Sequence, residues 1–263
     1  MKKRLLSLCL VGVLSVLSVG CASNTDKKVE APKETKPVEI YLTRHGKTML
    51  NTTDRVQGWA DAPLTAPGRE VAEFLGAGLA LENEKFVAAY ASTSGRAIET
   101  AQIALEKSGQ SDLQIKQDKD LREACFGDYE GEFNHKFWED LAKANDMTLE
   151  QFMKAPDMKM MLDTASKIDP GKQAENWDQV STRVKSAVDK IAKETEENGG
   201  GKVLVVSHGI TLMTFLTQVA PESLKDLSGG LKNASVTKVL YQDGKYTVES
   251  VNDMSYVEKG KNK

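Results

Sequence analysis

Residues 40–46 have the sequence Ile-Tyr-Leu-Thr-Arg-His-Gly, an apolar, β-prone run that stops at an Arg-His-Gly corner. This pattern predicts a buried strand that delivers Arg44 and His45 to the end of a sheet. In an open α/β sheet, ligands bind beyond the ends of the strands. Imidazole can act as nucleophile, base or acid near neutral pH, and the arginine fork suits phosphate oxygens. The corner is a candidate anion site, although a His and an Arg at a strand end can also be ordinary surface residues.

Two further apolar runs end in polar corners of the same kind. Residues 203–209 have the sequence Val-Leu-Val-Val-Ser-His-Gly, so two of the chain's three histidines, His45 and His208, follow predicted strands. The apolar run 86–91 is followed by a short polar turn and by Arg96 at the predicted start of a helix. The amino end of a helix favours anions. Three strand ends are therefore predicted to present cationic or imidazole groups to one place.

These side chains match the needs of phosphoryl transfer. That reaction requires a nucleophile in line, cationic donors for the equatorial oxygens and an acid for the leaving oxygen. Arg44, His45, Arg96 and His208 supply the first two, and Glu123 is a carboxylate that could manage a proton. The set therefore predicts a phosphoryl-transfer site in which arginines carry the positive charge.

The composition narrows the class of protein. The chain has 263 residues, of which 40% are hydrophobic and 28% charged, as expected for one large domain, and its net charge is −3. We expect no nucleic-acid binding, because there is no basic field and no basic run with interleaved aromatic residues. The sequence lacks a Gly-x-x-x-x-Gly-Lys loop, a Gly-x-Gly-x-x-Gly fingerprint, and Cys-x-x-Cys and His-x-x-x-His pairs. Histidines beside arginines make a poor cation site, so we expect no metal and no cofactor.

The amino terminus resembles a bacterial lipoprotein signal. A basic start is followed by an apolar stretch over residues 5–19 and then by Cys21, although Ser18 stands where Leu is usual. We expect a signal peptide over residues 1–20, lipid attachment at Cys21 and a disordered, proline-interrupted tether over 21–37. A plain secretory signal with a chance cysteine is the alternative. The domain then spans 38–263, exported and lipid-anchored to the outer face of a bacterial membrane, and Cys125 is expected in its core.

The remaining pattern alternates strands with helices, which predicts a mainly parallel sheet covered on both faces. We expect helices over residues 66–81, 175–197 and 210–218, with Thr65 capping the first, and a further helix that ends near Lys107. A weak strand is expected over 113–116, and a hairpin over 236–251 around Asp243-Gly244. Two or so helices over 133–165 are expected as an insert that covers the site, and the last dozen residues are expected to fray.

Five ordered motifs resemble the histidine phosphatase, or phosphoglycerate-mutase-like, superfamily over residues 38 to about 252. They are Leu42-Thr43-Arg44-His45-Gly46, Gln57-Gly58-Trp59-Ala60-Asp61-Ala62-Pro63-Leu64-Thr65, Ser92-Thr93-Ser94-Gly95-Arg96-Ala97-Ile98-Glu99-Thr100-Ala101, Leu121-Arg122-Glu123 and Ser207-His208-Gly209. The resemblance implies an α/β fold, a three-layer α/β/α sandwich, and a reaction through a phosphohistidine intermediate.

The resemblance also implies residue roles. His45 is the nucleophile, Glu123 is the proton donor to the leaving oxygen and then the base for water, and the phosphoryl oxygens are held by Arg44, Arg96 and His208. Phosphate or substrate contacts are implied for Asn51, Gln57 and Gly209. Some alternatives stay open: a structural salt bridge for Glu123, ordinary loop duty for Asn51 and Gln57, and, for Glu175, either a family glutamate or the start of a helix.

The stretch after Glu123 separates the branches of the superfamily. Residues 124–131, Ala-Cys-Phe-Gly-Asp-Tyr-Glu-Gly, resemble the phosphatase branches and lack the Arg-His-Tyr-Gly run of cofactor-dependent mutases. The sequence therefore predicts a metal-independent phosphomonoester hydrolase that acts on a phosphorylated small molecule and has no obligate protein partner. A phosphoglycerate-type mutase, or a non-catalytic surface binding module on the same fold, is the alternative.

Overall fold

The computed structural model describes residues 36–154, 157–225, 227 and 229–263. The predicted signal peptide, the predicted lipid site Cys21 and the predicted tether before residue 36 lie outside these residues. The described residues belong to one compact unit. None of the described helices is both long and apolar enough to cross a bilayer.

The secondary structure alternates as predicted. The strands are β1 (Val38–Arg44), β2 (Phe86–Ser92), β3 (Ile115–Asp118), β4 (Gly201–Ser207), β5 (Val236–Gln242) and β6 (Lys245–Asp253). The α-helices are α1 (Met49–Thr52), α2 (Ala66–Leu81), α3 (Gly95–Lys107), α4 (Asn134–Ala144), α5 (Leu149–Lys154), α6 (Met158–Ile168), α7 (Trp177–Glu197), α8 (Gly209–Val219) and α9 (Ser255–Lys261).

The strands form one six-stranded sheet in the order β3-β2-β4-β1-β5-β6. The first four are parallel, and β5 and β6 add an antiparallel hairpin at one edge. Val38 of β1 pairs with Gly201 of β4 on one side and with Tyr241 of β5 on the other. The predicted mainly parallel sheet is confirmed, and its first strand lies in the interior.

Side chains of β1 alternate between two cores. Ile40 and Leu42 pack with α7 and α8, whereas Tyr41 packs on the opposite face with α2, α3 and α9. All three residues are buried, as expected for an interior strand covered on both faces. The predicted three-layer α/β/α sandwich is therefore confirmed.

The helical insert has its own small core. Its helices are α4, α5 and α6, one more than expected, and the insert ends at Ile168 instead of residue 165. Phe137, Phe152 and Leu162 pack with Val56 and Phe126. The insert is thus attached to the loop after β1 and to the segment after Glu123.

The start of β3 and the start of α7 each lie two residues later than predicted. β3 begins at Ile115 and is paired with β2 from there, so the strand lies two residues later than its apolar pattern indicated. α7 begins at Trp177 because the Asn176 side chain caps it and accepts from the Gln179 N–H. Glu175 therefore lies before the helix and does not start it.

The expectation of a frayed tail is wrong. Residues 255–261 form α9, in which Tyr256 and Val257 are buried against the face of the sheet that α2 covers. The two helices approach backbone to backbone at glycines: a Cβ on Gly78 would lie 1.9 Å from the Tyr256 carbonyl oxygen, and one on Gly260 would lie 1.9 Å from that of Phe74. The tail is an integral part of the fold.

Candidate active site

Three neighbouring strand ends bring the predicted residues together. β2, β4 and β1 are parallel and adjacent, so their carboxyl ends meet at one edge of the sheet. His45 follows β1, Arg96 lies in the first turn of α3 after β2, and His208 follows β4. The ring centroids of His45 and His208 are 5.2 Å apart. The strand-end reasoning therefore located this cluster correctly.

His45 is held as a neutral imidazole with one free nitrogen. Its Nδ1 lies 2.8 Å from the Gly46 carbonyl oxygen, which can only accept, so Nδ1 carries the proton. Burial, together with the charges of Arg96 and Arg44, holds the pKa of His45 well below its usual range. Nε2 consequently keeps its lone pair near neutral pH, which is the state a nucleophile requires.

His208 is anchored on one side only. Its Nε2 lies 2.7 Å from Ser92 Oγ, and Ser92 Oγ also accepts the Ser94 N–H. This arrangement favours donation of the Ser92 hydroxyl to Nε2, which places the ring proton on Nδ1. Burial and then the charge of Arg96 lower the pKa of His208 well below its usual value. The ring is thus a neutral hydrogen-bond donor through Nδ1.

Arg96 is fully enclosed by the loop that follows α1. Its Nη1 donates to the Ala60 carbonyl at 3.1 Å and to Asp61 Oδ1 at 2.9 Å, and its Nη2 donates to the Gly58 carbonyl at 2.8 Å. The guanidinium is 1% exposed, so these contacts fix both its position and its orientation. Asp61 also accepts the Gly95 N–H and so links the loop to the start of α3.

Glu130 in turn holds that loop. Its carboxylate accepts the N–H groups of Gly58, Trp59, Ala60 and Phe126 at 2.8–3.0 Å. A carboxylate that accepts several backbone N–H groups is held firmly in position. Glu130 is therefore a positioning residue for the loop around Arg96.

The site concentrates donors that have no protein partner. Among the described residues, eight buried side-chain nitrogen or oxygen atoms lack a hydrogen-bond partner, and four of them belong to predicted site residues. These four are Arg44 Nε, Gln57 Nε2, Arg96 Nε and His208 Nδ1. Buried donors are ordinarily satisfied, so a group of them at one place is typical of a site made for an anion.

Arg44 is positioned by a different segment of the chain, the one before β5. Its Nη1 donates to the Leu231 carbonyl at 2.5 Å. Burial lowers the pKa of this guanidinium, and the charge of Glu123 raises it. Next to it, a Cβ on Gly209 would lie 3.5 Å from Arg44 Nε, so the first residue of α8 faces this arginine. The phosphate-binding role of Gly209 remains a prediction.

Glu123 is tied to the start of α8. Its Oε1 accepts from Ala124 N, Thr211 N and Thr211 Oγ1 at 2.8–3.0 Å, and its Oε2 accepts from Ile210 N at 3.0 Å. Within the described residues it forms no ion pair within 4.0 Å, so the alternative of a structural salt bridge is not supported. Oε2 retains acceptor capacity beside the cluster, and its role as proton donor remains a prediction.

Asn51 and Gln57 contact each other in the segment that follows β1. Asn51 Oδ1 accepts the Thr48 N–H in the capping box of α1, and its Nδ2 donates to Gln57 Oε1 at 3.4 Å. Gln57 Oε1 also accepts the Thr48 hydroxyl at 2.6 Å. Asn51 is thus partly committed to its helix, whereas Gln57 keeps a buried amide donor. Their phosphate contacts remain predictions.

An internal ion pair supports the segment that carries Glu123, and the sequence did not reveal it. Arg183 of α7 pairs with Glu175 and donates to the carbonyls of Asp120, Arg122 and Glu123. Arg183 lies among the polar residues of an amphipathic helix, where nothing local distinguishes it from a surface arginine. Ser92 and Asp61 were also missed as functional residues, although both stand inside motifs already noted.

Two further observations complete the site. Cys125 is buried, and burial raises the pKa of its thiol, in agreement with a core residue. Across the described ranges, no three His, Cys, Asp or Glu side chains are grouped as a metal site would require.

Comparison with known proteins agrees with this geometry. Residues 40–254 match the family model of the Histidine phosphatase superfamily (branch 1). A phosphoglycerate mutase structure from Bacillus anthracis str. Sterne is 48% identical with a TM-score of 0.83, over 87% of this chain and 99% of that one. YhfR of Bacillus stearothermophilus is 33% identical with a TM-score of 0.67, over 84% and 99% of the two chains. A metal-independent phosphoserine phosphatase of Arabidopsis thaliana is 29% identical over 225 residues, which is 85% of each chain.

These relatives include both phosphatases and mutases, and the match spans every strand-end motif described above. The chain is therefore an enzyme of the histidine phosphatase superfamily.

Proposed function

We propose that the protein is a phosphomonoester hydrolase that works without a metal through a phosphohistidine on His45. The observation that carries the proposal is the neutral His45, with Nε2 unprotonated, in a cluster of buried donors without protein partners. A phosphoryl group in that cluster would meet a nucleophile and three fixed donors, Arg44, Arg96 and His208.

The chemistry follows in two balanced steps. Nε2 of His45 forms a bond to phosphorus as the ester P–O bond breaks, and protonated Glu123 gives its proton to the leaving oxygen. Glu123, now a carboxylate, takes a proton from water as that water attacks the phosphohistidine. The N–P bond breaks, inorganic phosphate leaves and both side chains return to their starting states.

The packing after Glu123 supports hydrolysis over mutase chemistry. Ala124, Cys125 and Phe126 stand where the resemblance places the Arg-His-Tyr of cofactor-dependent mutases, and all three are buried. None of them offers a cationic or imidazole group to a second phosphate. The Arabidopsis relative named as a phosphoserine phosphatase favours the same reading, whereas the Bacillus anthracis relative is named as a mutase.

The test is phosphate release by the domain from Ala22 onward, with sugar phosphates, nucleotides, phospho-amino acids and an aryl phosphate. We expect release that persists in excess chelator and disappears in His45→Ala, with a folded variant as judged by circular dichroism. If His45→Ala is as active as the wild type, the phosphohistidine mechanism is wrong. If chelator abolishes activity and a divalent metal restores it, the enzyme is not metal-independent.

A mutase would give a different product. If no ester releases phosphate while 3-phosphoglycerate is converted to its 2-isomer, the mutase alternative replaces the hydrolase. If neither reaction occurs in a folded domain, the alternative of a non-catalytic binding module is favoured.

We also propose that the enzyme is exported and held at the outer face of a bacterial membrane by lipid on Cys21. The support is the order of a basic start, an apolar stretch and a cysteine at the amino terminus. Labelling with a radioactive fatty acid in a bacterial host should mark the wild type and not Cys21→Ala. Equal labelling of the two proteins would overturn this proposal.

A further inference from the structure

We propose that Ser92 is a positioning residue for phosphoryl transfer, because its hydroxyl keeps the single ring proton of His208 on Nδ1, where that proton can meet a phosphoryl oxygen. This inference rests on the proposed function and adds a residue to the same site. It is carried by a chain of hydrogen bonds that begins at the Ser94 N–H, passes through Ser92 and ends at His208.

The direction of this chain is set at its first member. A backbone N–H can only donate, and the Ser94 nitrogen lies 3.2 Å from Ser92 Oγ. The Ser92 hydroxyl therefore accepts from the backbone and has its one proton left to give. His208 Nε2, 2.7 Å away, is the acceptor that the described residues offer to that proton. The chain thus runs from the backbone toward the ring, and Nε2 is its last acceptor.

The opposite direction would leave two buried groups unsatisfied. If Nε2 carried the proton and donated to Ser92 Oγ, the hydroxyl proton would have no acceptor among the residues that the structure describes. His208 Nδ1 would then present a lone pair, and no described donor contacts that atom. Both side chains are fully buried, so each unmet group would destabilise the fold. A lone pair at Nδ1 would also repel the oxygens of a bound phosphoryl group.

The arginines of the site act against Ser92. Burial and then the charge of Arg96 lower the pKa of His208, and the charge of Arg44 acts in the same direction. One proton is therefore all that the ring holds near neutral pH. A positive charge beside an imidazole favours a lone pair over an N–H on the nearer nitrogen. Ser92 opposes that preference, because its hydroxyl requires the lone pair at Nε2.

Ser92 can hold this position because of where it lies in the sheet. It is the last residue of β2, and β4, whose end carries His208, is the neighbouring parallel strand. The hydroxyl therefore bridges two adjacent strand ends. Ser94, which donates to it, is the N-cap residue of α3, the helix that contains Arg96. One hydroxyl consequently ties His208 and the start of that helix to the same strand end, as preorganisation of a site requires.

A competing view makes Ser92 a structural residue that only stabilises the turn after β2. The two views differ in what a substitution does to the ring of His208. Loss of a structural contact would lower the stability of the domain and leave the ring proof on Nδ1 unchanged in position. Loss of a positioning contact would move the proton to Nε2 and weaken phosphate binding even in a folded variant.

The experiment locates the ring proton directly. The domain from Ala22 onward contains three histidines, so labelling histidine with nitrogen-15 gives three sets of imidazole signals, and those of His208 are identified by their loss in His208→Asn. Spectra in phosphate-free buffer near neutral pH distinguish a protonated ring nitrogen from one with a lone pair. The proteins compared are the wild type, Ser92→Ala, Ser92→Thr and the control Ser94→Ala. The Ser94 hydroxyl forms no capping hydrogen bond, and its substitution keeps the backbone N–H that Ser92 accepts.

We expect His208 to carry its proton on Nδ1 in the wild type and in Ser94→Ala. In Ser92→Ala a large share of the rings should carry it on Nε2. The Kd of inorganic phosphate, measured by calorimetry, should then rise by about 10- to 100-fold, the range for a hydrogen bond to a charged group, and kcat/KM should fall by a similar factor. Ser92→Thr restores a hydroxyl, so the ring proton should return to Nδ1 and both constants should recover to within about threefold of the wild type.

Two results would overturn the inference. One is a wild-type His208 with its proton on Nε2, and the other is a folded Ser92→Ala variant that keeps the proton on Nδ1, whatever its activity. Should Ser92→Ala fail to fold by circular dichroism, Ser92→Cys takes its place, because a thiol fills a similar space and donates weakly, and the same outcomes decide. If the wild type releases phosphate from no ester, the proposed function fails, whereas the spectra and the phosphate titration still decide whether Ser92 sets the His208 proton for phosphate binding.

Discussion

At the scale of single residues, the site depends on two imidazoles kept neutral inside a cationic environment. His45 and His208 are buried, and Arg96 and Arg44 lie close enough to oppose a further positive charge. Neutral His45 can attack phosphorus, and neutral His208 can donate through Nδ1. In the proposed mechanism, the same two guanidinium groups would bind the anionic ester and keep the nucleophile unprotonated.

This neutrality predicts a loss of stability in mild acid. In the unfolded chain each histidine titrates near pH 6.5, whereas the folded-state pKa of both is lower, so below pH 6.5 the unfolded state binds more protons. The contribution of the two neutral histidines to the free energy of unfolding is fully present above pH 6.5. It decreases as the pH drops toward their folded-state pKa values, at up to about 1.4 kcal/mol per pH unit for each histidine. Urea unfolding in phosphate-free buffer should show a decrease of ~2–4 kcal/mol between pH 7 and pH 5.

The comparison variants for this experiment are His208→Asn and His135→Asn. His208→Asn removes one of the two titrating groups and should flatten the dependence on pH. His135 is exposed in the insert, and its substitution is the matched control. An unfolding free energy that stays constant from pH 7 to pH 5 in the wild type would contradict the neutral state of the two rings.

At the scale of elements, loops folded around two carboxylates position the candidate catalytic groups. Glu130 organises the loop that encloses Arg96, and Asp169 accepts N–H groups from Asp128, Gly171, Gln173 and Ala174 at the end of the insert. Burial alone would raise the pKa of Asp169, but these backbone hydrogen bonds outweigh that effect and hold the pKa below its usual value. The strands fix where the site is, and these carboxylates fix the loops that complete it.

Glu130→Gln should impair the enzyme without altering its selectivity. The amide nitrogen of the variant would take the place of one carboxylate oxygen and would face backbone N–H groups that now donate to that oxygen. Each N–H group left without an acceptor is expected to destabilise the domain by about 1–3 kcal/mol. The loop around Arg96 loosens, so kcat/KM should fall by about tenfold or more on every ester alike. The control is Glu132→Gln, because Glu132 accepts only the neighbouring Phe133 N–H with its side chain. A change in the ratio of kcat/KM between two different esters would contradict this role for Glu130.

The sequence predicted the strand ends well and the supporting contacts poorly, for a physical reason. An apolar run that stops at Arg-His-Gly is a local signal, so the convergence of His45, Arg96 and His208 could be inferred from sheet geometry alone. Arg183 and Glu130 act through backbone groups of distant segments, and a charged side chain does not show in the sequence which carbonyl or N–H it will meet.

At the scale of the whole molecule, the last helix closes one face of the sandwich. The short polar sequence of residues 255–261 gave no amphipathic signal, because its buried side consists only of Tyr256, Val257 and Gly260. Its packing depends on glycines at the contact with α2, which allow the two backbones to touch. A contact of this kind cannot be recognised from the sequence of either helix, because it depends on how the two helices pack.

Gly260→Ala should therefore destabilise the domain. Alanine is the better helix former by about 1 kcal/mol, but its Cβ would lie 1.9 Å from the Phe74 carbonyl oxygen, a rigid backbone atom. We expect a net loss of about 1–3 kcal/mol in the free energy of unfolding, measured by urea denaturation, with unchanged active-site selectivity. The control is Lys261→Ala, at an exposed position of the same helix. If Gly260→Ala is as stable as this control, α9 can move away from α2 and the prediction is wrong.

The position of β1 in the sheet has a consequence for how the chain acquires its structure. Among the strands that the structure describes, the first to be synthesised is an interior strand whose neighbours, β4 and β5, are among the last. Its hydrogen bonds cannot form until almost the whole chain is available, which gives the fold a high contact order and predicts refolding in milliseconds to seconds instead of microseconds. A chain that lacks its carboxyl-terminal third therefore lacks both sheet partners of β1, and we expect the complete sheet to form only after that third has been made.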